Sequence, residues 1–300
     1  MDRRTTLYRL SALSLLPCFS NKSNFADKMM TRPIPSSGES LPVVGLGTWQ
    51  TFDVNPTSAE ADPLKEVLTT LLKHGGAVVD SSPMYGQSEE ATGTLSKGLG
   101  INDKLFIATK VWTTGKEDGI RQMTKSLKLL QRSKIDLMQV HNLTDWRTHL
   151  PTLRQWKEQG KLRYIGITHY TQSAYSQIEE ILNKEPIDFL QINYSILSRK
   201  AEERLLPLAR EKKTAVLINR PFEEGALFQR VKGKQLPAWA SEIDCASWGQ
   251  FFLKFIISHP AVNCVIPGTS KPHHMADNAK AGFGRLPDEA FRRRMVSFLT

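Results

Sequence analysis

Val78-Val79-Asp80-Ser81-Ser82-Pro83-Met84-Tyr85-Gly86 is the stretch on which the fold turns. A short β-branched run ends in a carboxylate, and a phenol follows five residues later in a Ser-Pro-Gly turn. That is the pattern of a buried strand opening into a loop that carries chemistry. Two later apolar runs repeat it: residues 105–110 end in the amine of Lys110, and residues 135–141 end in the imidazole of His141. Asp80, Tyr85, Lys110 and His141 are therefore expected together, at the C-terminal ends of neighbouring strands.

Working outward, the same alternation fills the chain. Upstream, residues 34–42 read as a hairpin with Gly38 at its turn, and 43–49 as the first buried strand. Residues 61–73 carry helical apolar spacing (Leu64, Val67, Leu68, Leu71, Leu72) and stop at Gly75-Gly76. Downstream, strands at 77–82, 105–111, 135–141, 164–168, 188–194, 215–219 and 262–266 alternate with helices near 88–98, 117–131, 148–159, 171–183, 200–212, 247–258 and 272–281. Residues 220–246 read as a loop, broken by Gly225, Gly233 and Pro237, and an amphipathic helix at 287–299 closes the chain. Eight strand–helix pairs predict an α/β fold, a (β/α)8 TIM barrel over residues 31–300 with a short N-terminal β-hairpin and an extra C-terminal helix. A doubly wound sheet is the alternative, weakened because no Gly-x-Gly-x-x-Gly follows the first strand.

Composition narrows the function classes. The chain has 300 residues, 40% of them hydrophobic, and a formal charge of +10. Its basic residues are spread over helix faces (Lys125, Lys128, Arg132, Lys134; Arg210, Lys212, Lys213), which argues for solvated faces and some attraction of an anionic ligand, not for nucleic acid. No apolar run approaches the ~18 residues that span a bilayer, so no stable membrane insertion is expected. Cys18, Cys245 and Cys264 have no metal-like spacing, so neither a disulfide framework nor a metal site is expected. Residues 1–30 stand apart: Arg3-Arg4 precede a modest apolar stretch at 10–17, which resembles a twin-arginine export signal. On that reading the protein is periplasmic; otherwise the segment is an extension on a cytoplasmic chain. A monomer acting on a small molecule is expected.

Tyrosine is a poor acid at neutral pH, with an ordinary pKa of about 10. A neighbouring ammonium lowers that value, and a buried ammonium needs a counter-ion. Lys110 and Asp80 supply both, which makes Tyr85 a general acid or base, and His141 can donate a hydrogen bond to a carbonyl oxygen. A carbonyl that takes a proton from tyrosine also needs a hydride, which no side chain supplies, so a nicotinamide cofactor is implied.

Gly45-Leu46-Gly47-Thr48-Trp49, the Asp80–Gly86 stretch, Thr109-Lys110-Val111-Trp112, Val140-His141-Asn142 and Ile266-Pro267-Gly268-Thr269-Ser270 together resemble the aldo-keto reductase superfamily. The resemblance covers about residues 33–285 and implies a (β/α)8 barrel that reduces aldehydes and ketones with NADP(H), or with NAD(H) as the second candidate. It implies Tyr85 as proton donor, tuned by Lys110 and Asp80, with His141 orienting the substrate. Gln191 matches the glutamine that holds the nicotinamide carboxamide, Thr168 stands for a usual serine and His169 for a usual asparagine. Asn219 replaces the tyrosine that stacks on the nicotinamide, and Arg220 is a candidate for the pyrophosphate. Gly47 and Thr48 complete that end of the cofactor site. Gly268 occupies a position that is often lysine and His274 one that is often arginine, while Thr269 and Ser270 offer hydroxyls at a helix N-terminus suited to phosphate. Asp277 and Asn278 match a Glu-Asn pair near the adenine. Trp49, Trp112 and Asn142 are implied as substrate contacts in an apolar mouth. The segment after the last family helix is short, which implies an open pocket.

Three further readings follow. A cofactor-binding redox sensor or regulatory subunit on the same barrel is the alternative function. A Schiff-base lyase or isomerase using Lys110 is a more distant one. Arg292-Arg293-Arg294 reads as a solvated face of the last helix.

Overall fold

The computed structural model describes residues 28–300; the candidate leader and Cys18 lie outside the described residues, apart from 28–30. Met29 is packed in the core and the Met30 amide donates to Gly282 O, so these residues already belong to the folded body.

The hairpin is present but begins earlier than the 34–42 read from sequence, as β1 (Thr31–Pro33) and β2 (Ser40–Pro42), antiparallel, with Gly38 at φ +78° in the turn. Eight parallel strands follow: β3 (Leu46–Gly47), β4 (Val78–Asp80), β5 (Phe106–Val111), β6 (Ile135–His141), β7 (Leu162–Thr168), β8 (Phe189–Asn193), β9 (Ala215–Asn219) and β10 (Cys264–Val265). Neighbours in sequence are neighbours in the sheet. The seam between the last and first strands is closed by isolated bridges, Val44 with Val265 and Gly47 with Gly268. Gly45 N–H donates to Val265 O at 2.9 Å and Gly47 N–H to Pro267 O at 3.1 Å. Both edges of the sheet are thereby paired, the closure a parallel barrel requires.

Around the barrel lie α1 (Asp62–Lys73), α2 (Ser88–Gly98), α3 (Lys116–Leu129), α4 (Trp146–Glu158), α5 (Tyr175–Lys184), α6 (Leu205–Glu211), α7 (Ala226–Arg230), α8 (Trp248–Ile257) and α9 (Pro272–Lys280), and α10 (Glu289–Leu299) ends the chain. The apolar stripe of α1 (Leu64, Val67, Leu68, Leu71) is buried, with Pro63 in the first turn and Gly75 at φ +84° beyond the end. Helices α2 and α3 approach closely because Gly93 has no Cβ: one placed there would lie 2.1 Å from Leu129 O.

Period-2 alternation explains the barrel interior. Inward positions give a compact apolar group of Val78, Phe106, Ala108, Leu137, Tyr164, Phe189, Ala215, Leu217, Cys264 and Ile266, floored by Ile34 and Leu41 of the hairpin. Phe106, Tyr164 and Phe189 form an aromatic triangle with centroids 5.4–6.0 Å apart. Continuing the same inward rows toward the strand ends reaches Asp80, Lys110, Gln139 and His141, Thr168, Gln191 and Asn219. An apolar plug below thus forces the polar residues into one layer at the top.

Several expectations are corrected. The first and last barrel strands shrink to two residues each, because the seam holds by single bridges and a Cβ at Gly45 would lie 2.8 Å from Val78 Cβ. The 220–246 loop contains α7 and a 3-10 helix at Ala238–Ile243, too short to show a period. Arg292 is not solvated. It is buried, donates to Tyr194 Oη at 2.7 Å, Ser258 Oγ at 2.8 Å, Phe255 O and Glu202, and lies 4.0 Å from the centroid of the Phe255 ring. Among the described residues no helix is long and apolar enough to cross a membrane.

Candidate active site

The polar layer opens into a cavity of about 530 Å³, within the range of small-molecule sites. At its floor Lys110 Nζ, with no solvent contact, donates to Asp80 Oδ2 at 2.7 Å and to Ser81 O at 2.6 Å. The other carboxylate oxygen, Asp80 Oδ1, accepts from Gln191 Nε2 at 2.9 Å and, more weakly, from Gln139 Nε2 at 3.3 Å. Three donors thus converge on one carboxylate, which is what holding a charge out of water demands. Burial alone would drive the ammonium's pKa down, but Asp80, Tyr85 and Glu89 hold it above its ordinary value.

Tyr85 lies above that pair, its ring centroid 5.1 Å from Lys110 Nζ, in the turn closed by its own N–H to Ser82 O at 3.0 Å. The net effect on the phenol differs from the sequence expectation. Burial raises its pKa above the ordinary value; Lys110 opposes that push and Asp80 adds to it. The resting side chain is therefore a neutral phenol, a proton held ready to give. The ring of His141 meets Tyr85 edge-on with centroids 5.9 Å apart, and its Nδ1 lies 3.0 Å from Ser82 Oγ. Burial, then the charge of Lys110 and then His169, take its pKa down to about 2, so the imidazole is neutral.

The expected residues divide into two groups. Gly47, Thr48, Trp49, Asp80, Tyr85, His141, Asn142, Thr168, Gln191, Asn219, Arg220 and Gly268 all line the cavity. Thr168 Oγ1 donates to Gln191 Oε1 at 2.8 Å. Asn142 Oδ1 and Asn219 Oδ1 are buried without a hydrogen-bond partner. Asn142 sits at φ +52° and Arg220 at φ +49°, conformations that cost non-glycine residues energy and cluster at functional sites. Arg220 pairs with Glu224 at 3.1 Å and lies 5.5 Å from the ring centroid of Tyr170. Trp112 is not among the residues that line the cavity; it is 42% exposed, with its ring 6.3 Å from that of His141.

The other group lies outside the cavity lining. His169 Nδ1 accepts the amides of Tyr170 and Thr171. Thr269 Oγ1 accepts the Lys271 amide at 3.1 Å beside the exposed Ser270, just before α9. His274 packs against His273 with ring centroids 4.3 Å apart. Asp277 binds Ser247 Oγ at 2.6 Å and Gln250 Nε2 at 2.7 Å, which ties α9 to the N-terminus of α8, and Asn278 is buried next to it. Among the described residues no cluster of His, Cys, Asp and Glu is arranged to hold a metal ion, and Cys245 and Cys264 are free and buried.

Sequence reading missed four contributors. Gln139 lies two residues before His141 on the same inward row, so strand alternation was its signal. Ser82 sits within the opening stretch itself. Tyr170, in a loop, and Phe228, in the short α7, also line the cavity, and both are partly exposed; neither segment is long enough to carry a periodicity that would betray them.

Comparison with known proteins points one way. The aldo/keto reductase family profile matches residues 43–294. Over 200 residues the chain is 28% identical to aldo-keto reductase YhdN of Bacillus subtilis, covering 62% of this chain and 60% of that protein. It is 28% identical over 239 residues to an NADH-specific methylglyoxal reductase of Escherichia coli, covering 69% and 72%. The fold superposes on a crystal structure of an aldo-keto reductase from Klebsiella pneumoniae in complex with NADPH, with TM-score 0.75, 22% identity, and 90% and 96% of the two chains covered.

Proposed function

The chain belongs to the aldo/keto reductase family of NAD(P)H-dependent oxidoreductases, and on that premise we propose that it reduces aldehydes or ketones with Tyr85 as general acid. The observation that carries this reading is the buried Lys110–Asp80 pair beneath a neutral Tyr85, with a neutral His141 across from it.

The residues fit a nicotinamide nucleotide. Asn219 Oδ1 is an orphaned buried acceptor in the cavity wall, and the Thr168 and Gln191 groups beside it can pair with a carboxamide. Arg220, on the same wall, carries the positive charge for a phosphate. Thr269, Ser270 and His274 near the start of α9 are the candidates for the far end of the nucleotide. When bound, the nicotinamide supplies hydride to the carbonyl carbon. NADP(H) is the first candidate and NAD(H) the second, in keeping with the NADPH and NADH named for the similar proteins.

The side chains do the rest. Trp49 and Met84 form the apolar mouth through which a carbonyl compound enters. His141, neutral, donates to the carbonyl oxygen without competing as an acid. Tyr85 gives that oxygen its proton, and the phenolate left behind is stabilised by the Lys110 ammonium, which Asp80 keeps charged. The rim stays open, with Trp49 42% exposed, which suits varied carbonyl substrates.

An aldehyde and ketone panel with NADPH and NADH tests the proposal. Reduction is expected, and Tyr85→Phe should lower kcat by roughly 10²–10⁴ while nucleotide binding persists. Tight nucleotide binding with no turnover of any carbonyl would instead favour the redox-sensor reading.

A further inference from the structure

We infer that the Ser82 hydroxyl is a positioning group that fixes His141 as the tautomer carrying its proton on Nε2, facing the cavity. The inference rests on the role proposed above for His141 and adds the group that makes it a donor.

A neutral imidazole has one N–H and one bare nitrogen, and only the hydrogen-bond partner of one nitrogen decides which is which. Ser82 Oγ lies 3.0 Å from His141 Nδ1, and Ser82 has no solvent contact. Its oxygen also accepts the Met84 amide, at a long 3.4 Å. Among the described residues Nδ1 is the one acceptor within reach of the hydroxyl proton. Were Nδ1 protonated, the Ser82 proton would be stranded in the barrel wall, and folded proteins rarely leave a buried donor unmade. The hydroxyl therefore donates to Nδ1, and the ring proton sits on Nε2.

The backbone holds this arrangement still. Pro83 restricts the residue before it to extended geometry. The Tyr85 amide closes the turn on Ser82 O at 3.0 Å. One turn thus carries both the proposed proton donor and the hydroxyl that sets the second hydrogen bond to the substrate. Burial and the Lys110 charge, by keeping the imidazole neutral, make the tautomer matter.

The test uses the full chain with ¹⁵N-labelled histidine and reads His141 by two-bond ¹H–¹⁵N correlation at neutral pH. The expected spectrum has the proton on Nε2. In Ser82→Ala the two tautomers should mix, and kcat for carbonyl reduction should fall about tenfold, short of the roughly 10²–10³ lost when a whole oxyanion donor is removed. KM for the nucleotide should stay within about twofold, and Ser82→Thr should restore both tautomer and rate. A proton on Nδ1 in the parent protein overturns the inference, as does an S82A spectrum identical to the parent's, whatever the rate. If S82A does not fold, the parent and S82T spectra decide. Mixed tautomers with an undiminished kcat leave the Ser82 assignment standing and remove His141 from the proposed mechanism. Failure to reduce any carbonyl sinks the proposed function while the spectrum still settles the tautomer.

Discussion

Lys110 keeps a full charge where water does not reach because Asp80 answers it at 2.7 Å and Gln191 and Gln139 hold Asp80 in turn. The pH behaviour follows from the groups around it. With His141 brought down to about 2 and the Tyr85 phenol raised by burial, neither titrates near neutrality. Tyr85 must be protonated to act as an acid, so its contribution is complete at low pH and is lost only as pH rises through its raised value. kcat/KM for carbonyl reduction is therefore expected to be flat between about pH 5 and 8, the range in which an unshifted histidine titrates, and to fall only on the alkaline side. A rate profile with an inflection near 6.5 would put His141 back in play. At this scale the sequence was legible where residue types are chemically rare: an acid, an amine, a phenol and an imidazole at strand ends admit few other readings. Ser82 was not, since a neutral hydroxyl in a turn carries no charge to mark it, and Gln139 was marked only by its place on the inward row of its strand.

Helix α2 shows how an element can be legible while its attachment is not. Its bounds were read at 88–98, but Glu89, in its first turn, passes for a solvated acid. Glu89 is instead buried between neighbours, accepting from Thr109 Oγ1 at 2.6 Å and Ser126 Oγ at 3.1 Å, so one carboxylate staples α2 to β5 and α3. Burial raises its pKa, against the two hydroxyls and Lys110. A raised carboxyl favours the protonated fold, so its contribution is full below the ordinary carboxylate range and is lost as pH rises through the folded value. Glu89→Gln keeps a hydrogen bond to each hydroxyl and removes the charge. The variant should melt about 2–4 °C higher than the parent at pH 8, the shift that ~1 kcal/mol gives a chain of this size. The gain should fade toward pH 4. Thermal scans at both pH values check it, and a gap of the same size at both would refute the assignment.

At the scale of the whole molecule, eight alternating strands and helices announced the barrel, and the missing phosphate fingerprint steered away from the doubly wound alternative. The ends of the sheet were harder, because a strand of two residues held by single bridges leaves almost no pattern. Arg292 was misread for a different reason: within Arg292-Arg293-Arg294 the eye sees a charged run, yet Arg292, Met295 and Leu299 share one helical stripe, and all three are buried. The stripe was the signal. Its guanidinium clamps α10 onto Tyr194, Glu202, Phe255 and Ser258, so Arg292→Ala should cost about 2 kcal/mol in urea unfolding by taking the counter-charge from the half-buried Glu202 and emptying a packed site. Because the clamp is remote from the cavity, kcat of the folded variant should match the parent.

Arg32 carries a consequence for how such a chain comes to be. Its guanidinium donates to the backbone oxygens of Ile257, His259 and Val262, partners 225–230 positions later in the sequence. The hairpin that floors the barrel precedes all eight barrel strands in the chain, and its arginine can reach these acceptors only when the segment 257–262 is in place. Contacts this distant in sequence are slow to form, so the sealing of the barrel floor is expected among the late steps of folding.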